Sequence, residues 1–160
     1  MEIFTLGHSN RTLEAFLELL KINHIRLVAD VRRYPLSPKF PQYNGSNLQQ
    51  ALFKHEIAYH WFGNHLGGFR TEGYENYMKT ESYKAGIEQL IEMSQKLKTV
   101  ILCAEKAVTR CHRLHLSDSL MEAELRVVHI VDKQTQIDHG TLSRDLRTNR
   151  GDIPQMELRF

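Results

Sequence analysis

The sequence predicts an α/β protein, a single domain with a mostly parallel β-sheet and helices on both faces, a Rossmann-like three-layer sandwich. Three observations predict it. Apolar runs at residues 3–6, 25–31, 57–62, 100–104 and 125–131 have the length of buried strands. Segments with helical spacing of apolar residues lie between them, and strands alternating with helices argue for parallel pairing through crossovers. A chain of 160 residues, 41% hydrophobic and 25% charged, is large enough to bury one core and ordinary in composition.

In chain order, the β-prone run at 3–6 is interrupted by Gly7-His8-Ser9-Asn10. Leu13, Phe16, Leu17 and Leu20 then share one helical face, with Asn10 or Thr12 as cap and Glu14 in the first turn, where a carboxylate suits the helix dipole. Past the strand at 25–31, residues 32–44 hold Pro35, Pro38 and Pro41, three of the four prolines. No helix or central strand tolerates that density, so this is a braced loop. Ser46 with Gln49 reads as a capping box for a helix continued by Leu48, Ala51, Leu52 and His55. The strand at 57–62 places Tyr59, Trp61 and Phe62 in the core, and a glycine turn follows it. One or two helical turns at 74–78 precede a helix over 83–97 with Ile87, Leu90, Ile91 and Leu97 inward. The strand at 100–104 breaks into a polar turn at 105–110 and enters a helix through Cys111-His112-Arg113 that runs to Met121. The strand at 125–131 completes an α/β domain over 1–131. Residues 132–160 carry five acidic and five basic groups with no clear period. They read as a polar C-terminal extension, packed on the domain or partly disordered.

Several classes are excluded or left without support. A net charge of +2 does not announce a nucleic-acid binder. No apolar run approaches the roughly 20 residues of a membrane span, and MEIFTLGHS lacks the basic and apolar regions of a signal peptide. Two cysteines do not make a disulfide framework, so the expected setting is reduced and cytoplasmic. Neither a G-x-G-x-x-G nor a Walker sequence is present, and no cofactor is expected.

The predicted architecture carries a functional consequence. The carboxyl ends of parallel strands share one edge, where ligands bind. Gly7-His8-Ser9, Asp30-Val31-Arg32, Leu66-Gly67-Gly68-Phe69-Arg70 and Cys103-Ala104-Glu105 each fall at or just past a strand end, so four polar motifs converge on one cleft. His8, Asp30 and Glu105 are the candidates for proton transfer, and Cys111 or Cys103 for a thiol nucleophile. Cys111 stands at a helix N-terminus among Lys106, Arg110 and Arg113, which lowers a thiol pKa. Backbone N–H groups near Gly7 and Ser9, with Arg32, Arg70, His112, Arg113 and the Gly67-Gly68 turn, are the candidate anion-binding groups.

Each motif also has a plainer reading. Cys103 can be a buried apolar side chain, Asp30 with Arg32 a simple ion pair, and Gly7-His8-Ser9 a strand-to-helix turn. Cys103 to Arg110 is C-x6-R, one residue longer than the phosphate-cradling loop of cysteine phosphatases, which disfavours that class. Cys103, Cys111, His112 and His115 have the atoms for a metal, yet C-x7-C-H is not a standard zinc spacing and no metal is assigned. Arg32-Arg33-Tyr34 and Lys39-Phe40-Pro41-Gln42-Tyr43 interleave cations with aromatics, which suits stacking on bases as well as packing on the domain itself.

The chain resembles the "domain of unknown function 488" family, through Thr5-Leu6-Gly7-His8-Ser9, Asp30-Val31-Arg32 with its proline loop, Leu66-Gly67-Gly68 with Arg70, Cys103-Ala104-Glu105 and Cys111-His112-Arg113. The resemblance covers roughly 1–131. The family usually has an arginine where this chain has Pro38, which removes a cation from the proline loop, and a proline within the turn that here reads Ala107-Val108-Thr109. What the resemblance implies is a compact, single-domain, mostly prokaryotic α/β protein; it implies no reaction.

The expected function is an enzyme, a hydrolase or transferase, acting on a small anionic, phosphate- or nucleotide-containing substrate in the cleft. A nucleic-acid-binding or processing module is the alternative, and a redox or metal sensor built on the two cysteines the third. The sequence does not address oligomeric state.

Overall fold

The computed structural model describes residues 1–148. Its centre is one six-stranded sheet in the order β3-β2-β4-β1-β5-β6. The strands β1 (Glu2–Gly7), β2 (Leu27–Asp30), β3 (Ala58–Trp61), β4 (Thr99–Cys103) and β5 (Arg126–Ile130) are parallel, and β6 (Gln136–Asp138) pairs antiparallel with β5. Side chains of the central strands alternate between two cores, as the two-residue period of a strand requires. Phe4, Leu6, Val100 and Leu102 face one side with Phe16 and Leu20 of α1 (Leu13–Ile22) and Leu48 and Leu52 of α2 (Gly45–Phe53). Ile3, Ala29, Ile101 and Val127 face the other, with Leu66 of α3 (Gly63–Leu66), Tyr74 of α4 (Tyr74–Tyr77), Leu90 of α5 (Glu81–Lys96) and Leu116 of α6 (Arg113–Glu122).

This arrangement positions the site. The connections from β1 to β2 and from β2 to β3 run toward the β3 edge over the α1/α2 face. The connections from β3 to β4 and from β4 to β5 run back over the opposite face. Reversing direction and face together keeps the hand of parallel crossovers constant. The loop after β4 therefore leaves to one face while the loops after its neighbours β1 and β2 leave to the other. Loops that diverge in this way open a crevice at the carboxyl edge.

Local details follow from single residues. Thr12 caps α1 by accepting the Ala15 N–H (3.2 Å), and Thr80 caps α5 by accepting that of Tyr83 (3.3 Å). The expected capping box at Ser46 is replaced. The helix starts two residues earlier, Asn44 is the cap residue, and its Oδ1 accepts the Ser37 N–H (2.6 Å). That bond and Gly45 N–H to Pro35 O (2.8 Å) brace the proline loop, which ends in a 3₁₀ turn, Pro41–Tyr43.

Phe62 is buried as expected, but Trp61 is 38% exposed, because β3 is an edge strand. Its Nε1 donates to Arg32 O (2.8 Å). Leu97 lies past the end of α5 and is also partly exposed. The polar stretch after Asp132, which shows no period in sequence, forms β6 and α7 (His139–Thr148). An edge strand needs little apolar content, which hides it from pattern reading. Residues 149–160 of the expected extension lie outside the described residues. Among the described residues no helix is long and apolar enough to cross a membrane.

Candidate functional site

A cleft of about 550 Å³ lies over the carboxyl ends of the central strands. Four loops wall it: His8 after β1, Arg32 to Tyr34 with Leu36 and Ser37 after β2, Gly68 and Phe69 after β3, and Cys103 to Glu105 with Arg110 to His112 after β4.

On one wall, Asp30 ends β2 and its carboxylate is fully buried. Arg32 meets it as a fork, Nε to Oδ1 (2.9 Å) and a terminal nitrogen to Oδ2 (2.7 Å). The Arg32 N–H (3.1 Å) and the Tyr59 hydroxyl (2.7 Å) donate to the same carboxylate. With its lone pairs so occupied, Asp30 orients Arg32 and has no reach to a substrate proton. The other terminal nitrogen of Arg32 lies 3.3 Å from His8 Nε2. His8 Nδ1 faces the Ser9 carbonyl (2.8 Å), which can only accept, so the proton sits on Nδ1 and Nε2 accepts from Arg32. Tyr43 stacks on the ring at 4.2 Å. Burial, with Arg32 beside it, lowers the His8 pKa to about 4. His8 is therefore neutral at pH 7.

The floor holds Cys103, Cys111 and His112. Cys103 ends β4. A 3₁₀ turn at Val108–Arg110 folds the chain back, so that Cys111 faces it and α6 starts at Arg113. Cys111 Sγ accepts from the Arg113 backbone N–H (3.5 Å) and from Arg113 Nε (3.3 Å). Burial alone raises the Cys111 thiol, but the Cys103 S–H and Arg113 outweigh it and bring it down to about 6. Cys103, which shares its proton with Cys111 and is buried, is pushed up to about 12. His112 Nε2 donates to Val31 O (3.1 Å), and its Nδ1 faces Cys111 Sγ at 3.8 Å.

Three expected anion-binding groups are turned to other work. The backbone N–H groups of His8 and Ser9 extend the sheet pairing to the carbonyls of Cys103 (2.8 Å) and Ala104 (3.0 Å). Gly7 serves close approach: a Cβ there would lie 1.8 Å from Glu105 O. Arg70 closes the carboxyl end of α3, donating to the carbonyls of Gly67 (2.9 Å) and Asn64 (2.7 Å), and its guanidinium lies 3.8 Å from the centre of the Tyr77 ring. Arg113 is 1% exposed and its bonds run inward, to Thr5 Oγ1 (3.1 Å) and to Glu105 O (2.5 Å) and Lys106 O (3.3 Å). Gly67 lets the β2 loop pass, since a Cβ would fall 2.7 Å from Arg33 Cα. Arg32, Gly68 and His112 do line the cleft, and Glu105 stands at its lip with Oε1 accepting the Ala107 N–H (3.2 Å).

Two residues of the site, Arg110 and Phe69, were not singled out from sequence as ligand groups, whereas Arg33 and Tyr34 belong to the segment read as suited to base stacking. Arg33 and Arg110 line the cleft, and Tyr34 and Phe69 stand exposed at its mouth with ring centroids 6.3 Å apart. The signal for Tyr34 was the alternation of cations and aromatics in the proline loop. Phe69 adopts φ 59°, a conformation set by the glycine turn and invisible to periodicity. Behind the floor, a chain of hydrogen bonds runs from Arg113 through Thr5, His129 (2.7 Å), His139 (2.8 Å) and Asp118 (2.8 Å). Burial, with His139 and Arg113 nearby, lowers the His129 pKa to about 3.

Fold and site together define an α/β protein with a cysteine–histidine floor and a cationic wall at the carboxyl edge of a mostly parallel sheet. A family model described as "Domain of unknown function DUF488" matches residues 12–120, more than half of the chain, and the protein belongs to that family. The matched stretch includes Asp30, Arg32, Gly67, Gly68 and the Cys103 to Arg113 segment, while Gly7-His8-Ser9 lies just ahead of it. Neither curated proteins nor solved structures give a match.

Proposed function

We propose that the protein is an enzyme acting on a small anionic, phosphate- or nucleotide-containing substrate held in the cleft above β4. The observation that carries this reading is the pairing of a cationic wall, Arg32, Arg33 and Arg110, with the Cys111–His112 floor across one crevice. Guanidinium groups bind phosphate or carboxylate with directional bonds. Asp30 and His8 hold Arg32 in place, so its position is preorganised before a ligand arrives. Glu105, exposed at the lip, is the carboxylate able to move a proton. The exposed rings of Tyr34 and Phe69 offer stacking faces for a base beside the anion site, which favours a nucleotide within this class.

The same rings and cations support the second reading, a module that holds single-stranded nucleic acid. A thermal-shift panel of nucleotides, sugar phosphates and short oligonucleotides at low and moderate salt separates the two, since ligands of the folded state raise Tm. The enzyme reading expects a shift with a small phosphorylated compound that Arg33→Ala removes, with the Tm of the unliganded protein unchanged. A flat panel overturns both readings, and salt-sensitive shifts with oligonucleotides alone select the second.

A further inference from the structure

Cys103, Cys111 and His112 place one potential ligand atom each within 4.8 Å of one another, all buried and all lining the cleft. We propose that these three side chains bind one thiolate-preferring divalent cation, zinc by its ligand set, with a fourth coordination position open to the cleft.

Two sulfurs and one imidazole nitrogen are a recognised zinc donor set, and three protein ligands leave the fourth corner of a tetrahedron for water or substrate. Metal–ligand bonds of about 2.0–2.3 Å put neighbouring ligand atoms about 3.3–3.8 Å apart. Cys111 Sγ and His112 Nδ1 stand at 3.8 Å already. The support is that of a ligating histidine. His112 gives its Nε2 proton to the Val31 carbonyl, which fixes the ring and turns the Nδ1 lone pair toward the sulfurs. Two N–H groups of Arg113 point at Cys111 Sγ and favour its anionic form, the form that binds metal. Two thiolates balance the charge of the dication, while the Arg113 N–H groups remain as donors to Cys111 Sγ. Access comes from the cleft itself, where an open position would face the anion site of Arg32 and Arg33 and polarise an oxygen bound there.

The experiment uses the whole chain, stripped with chelator and kept reduced, and titrates it with cobalt(II) and then zinc, without substrate. The expected result is one ion per chain, with a thiolate-to-cobalt charge-transfer band that zinc abolishes. Cys111→Ser and His112→Ala each weaken zinc binding at least about tenfold, and Arg33→Ala leaves it intact. Zinc also slows alkylation of both thiols in the wild-type protein, a readout that needs no variant to fold. Absence of the band, alkylation rates unaffected by zinc, or binding that survives Cys111→Ser in a folded protein overturns the site. The reading goes beyond the substrate proposal: metal binding with a flat ligand panel removes the enzyme and keeps the metal site, and the reverse result does the opposite.

Discussion

Arg32 and Arg113 are both buried guanidinium groups beside the same cleft, and they are held in different ways. Arg32 is forked onto the Asp30 carboxylate, two residues away, and leans its remaining nitrogen on neutral His8. Arg113 spends its N–H groups on the carbonyls of Glu105 and Lys106, the Thr5 hydroxyl and Cys111 sulfur. The first is an ion pair complete in itself, which presents a rigid edge to the cleft. The second is a cation that ties three chain segments together and stabilises negative charge on Cys111. Similar side chains thus do different work, one fixed at the cleft wall and one tied to the floor.

Either arginine can be unpinned by a single substitution. The largest effect is expected from Asp30→Ala, which strands a buried cation and the Tyr59 hydroxyl. Breaking a buried pair from one side costs about 3–5 kcal/mol, readable in urea denaturation, and a loss under about 1 kcal/mol would show that the fork carries little. Arg113→Met leaves several buried acceptors unpaired and should cost about 3 kcal/mol. In metal-free protein it should also move the pH midpoint of Cys111 alkylation upward from about 6, which Arg33→Ala should not do. An unmoved midpoint would remove Arg113 from its tuning role.

Each arginine is linked to a neutral histidine, Arg32 directly to His8 and Arg113 through Thr5 to His129. Folded His8 protonates near pH 4 and folded His129 near pH 3, whereas an unfolded histidine does so near 6.5. Below 6.5 the unfolded chain therefore binds protons that the folded chain refuses. Their contribution is complete above about pH 6.5 and is lost as pH falls toward 4 and 3, reaching about 2 kcal/mol for each histidine by pH 5. Denaturation at pH 7 and pH 5 measures it, and His129→Gln should flatten the profile; a profile as steep as wild type would exclude His129. The smallest effect is at Arg70, where Arg70→Ala removes a helix-end clasp worth about 1 kcal/mol and should leave any ligand-induced Tm shift unchanged. Loss of that shift with Arg70→Ala would make the residue part of the proposed anion site.

Much of the fold is legible in the chain because strand burial and helical spacing are local properties. The apolar runs at 25–31 and 100–104 contain β2 and most of β4, and Leu13, Phe16, Leu17 and Leu20 mark α1. The carboxyl-edge convergence was readable too, since it needs only parallel strands and polar residues after them. Residue roles within the site were less legible. Arg32, Arg70 and Arg113 are all arginines next to strand ends or turns, and nothing local distinguishes the one at the cleft from the one closing α3 or the one buried under β1.

Apolar periodicity and connection length act over short distances, so they set in the chain which segments become strands, that these pair mostly in parallel, and which loops gather at one edge. That Cys103 faces Cys111 and His112 across a seven-residue loop, and that Thr5, His129, His139 and Asp118 link in one line, follows from long-range packing alone. A 3₁₀ turn, a glycine crossing and the strand order set those neighbours, and such contacts join residues too far apart in the chain for any spacing rule to report.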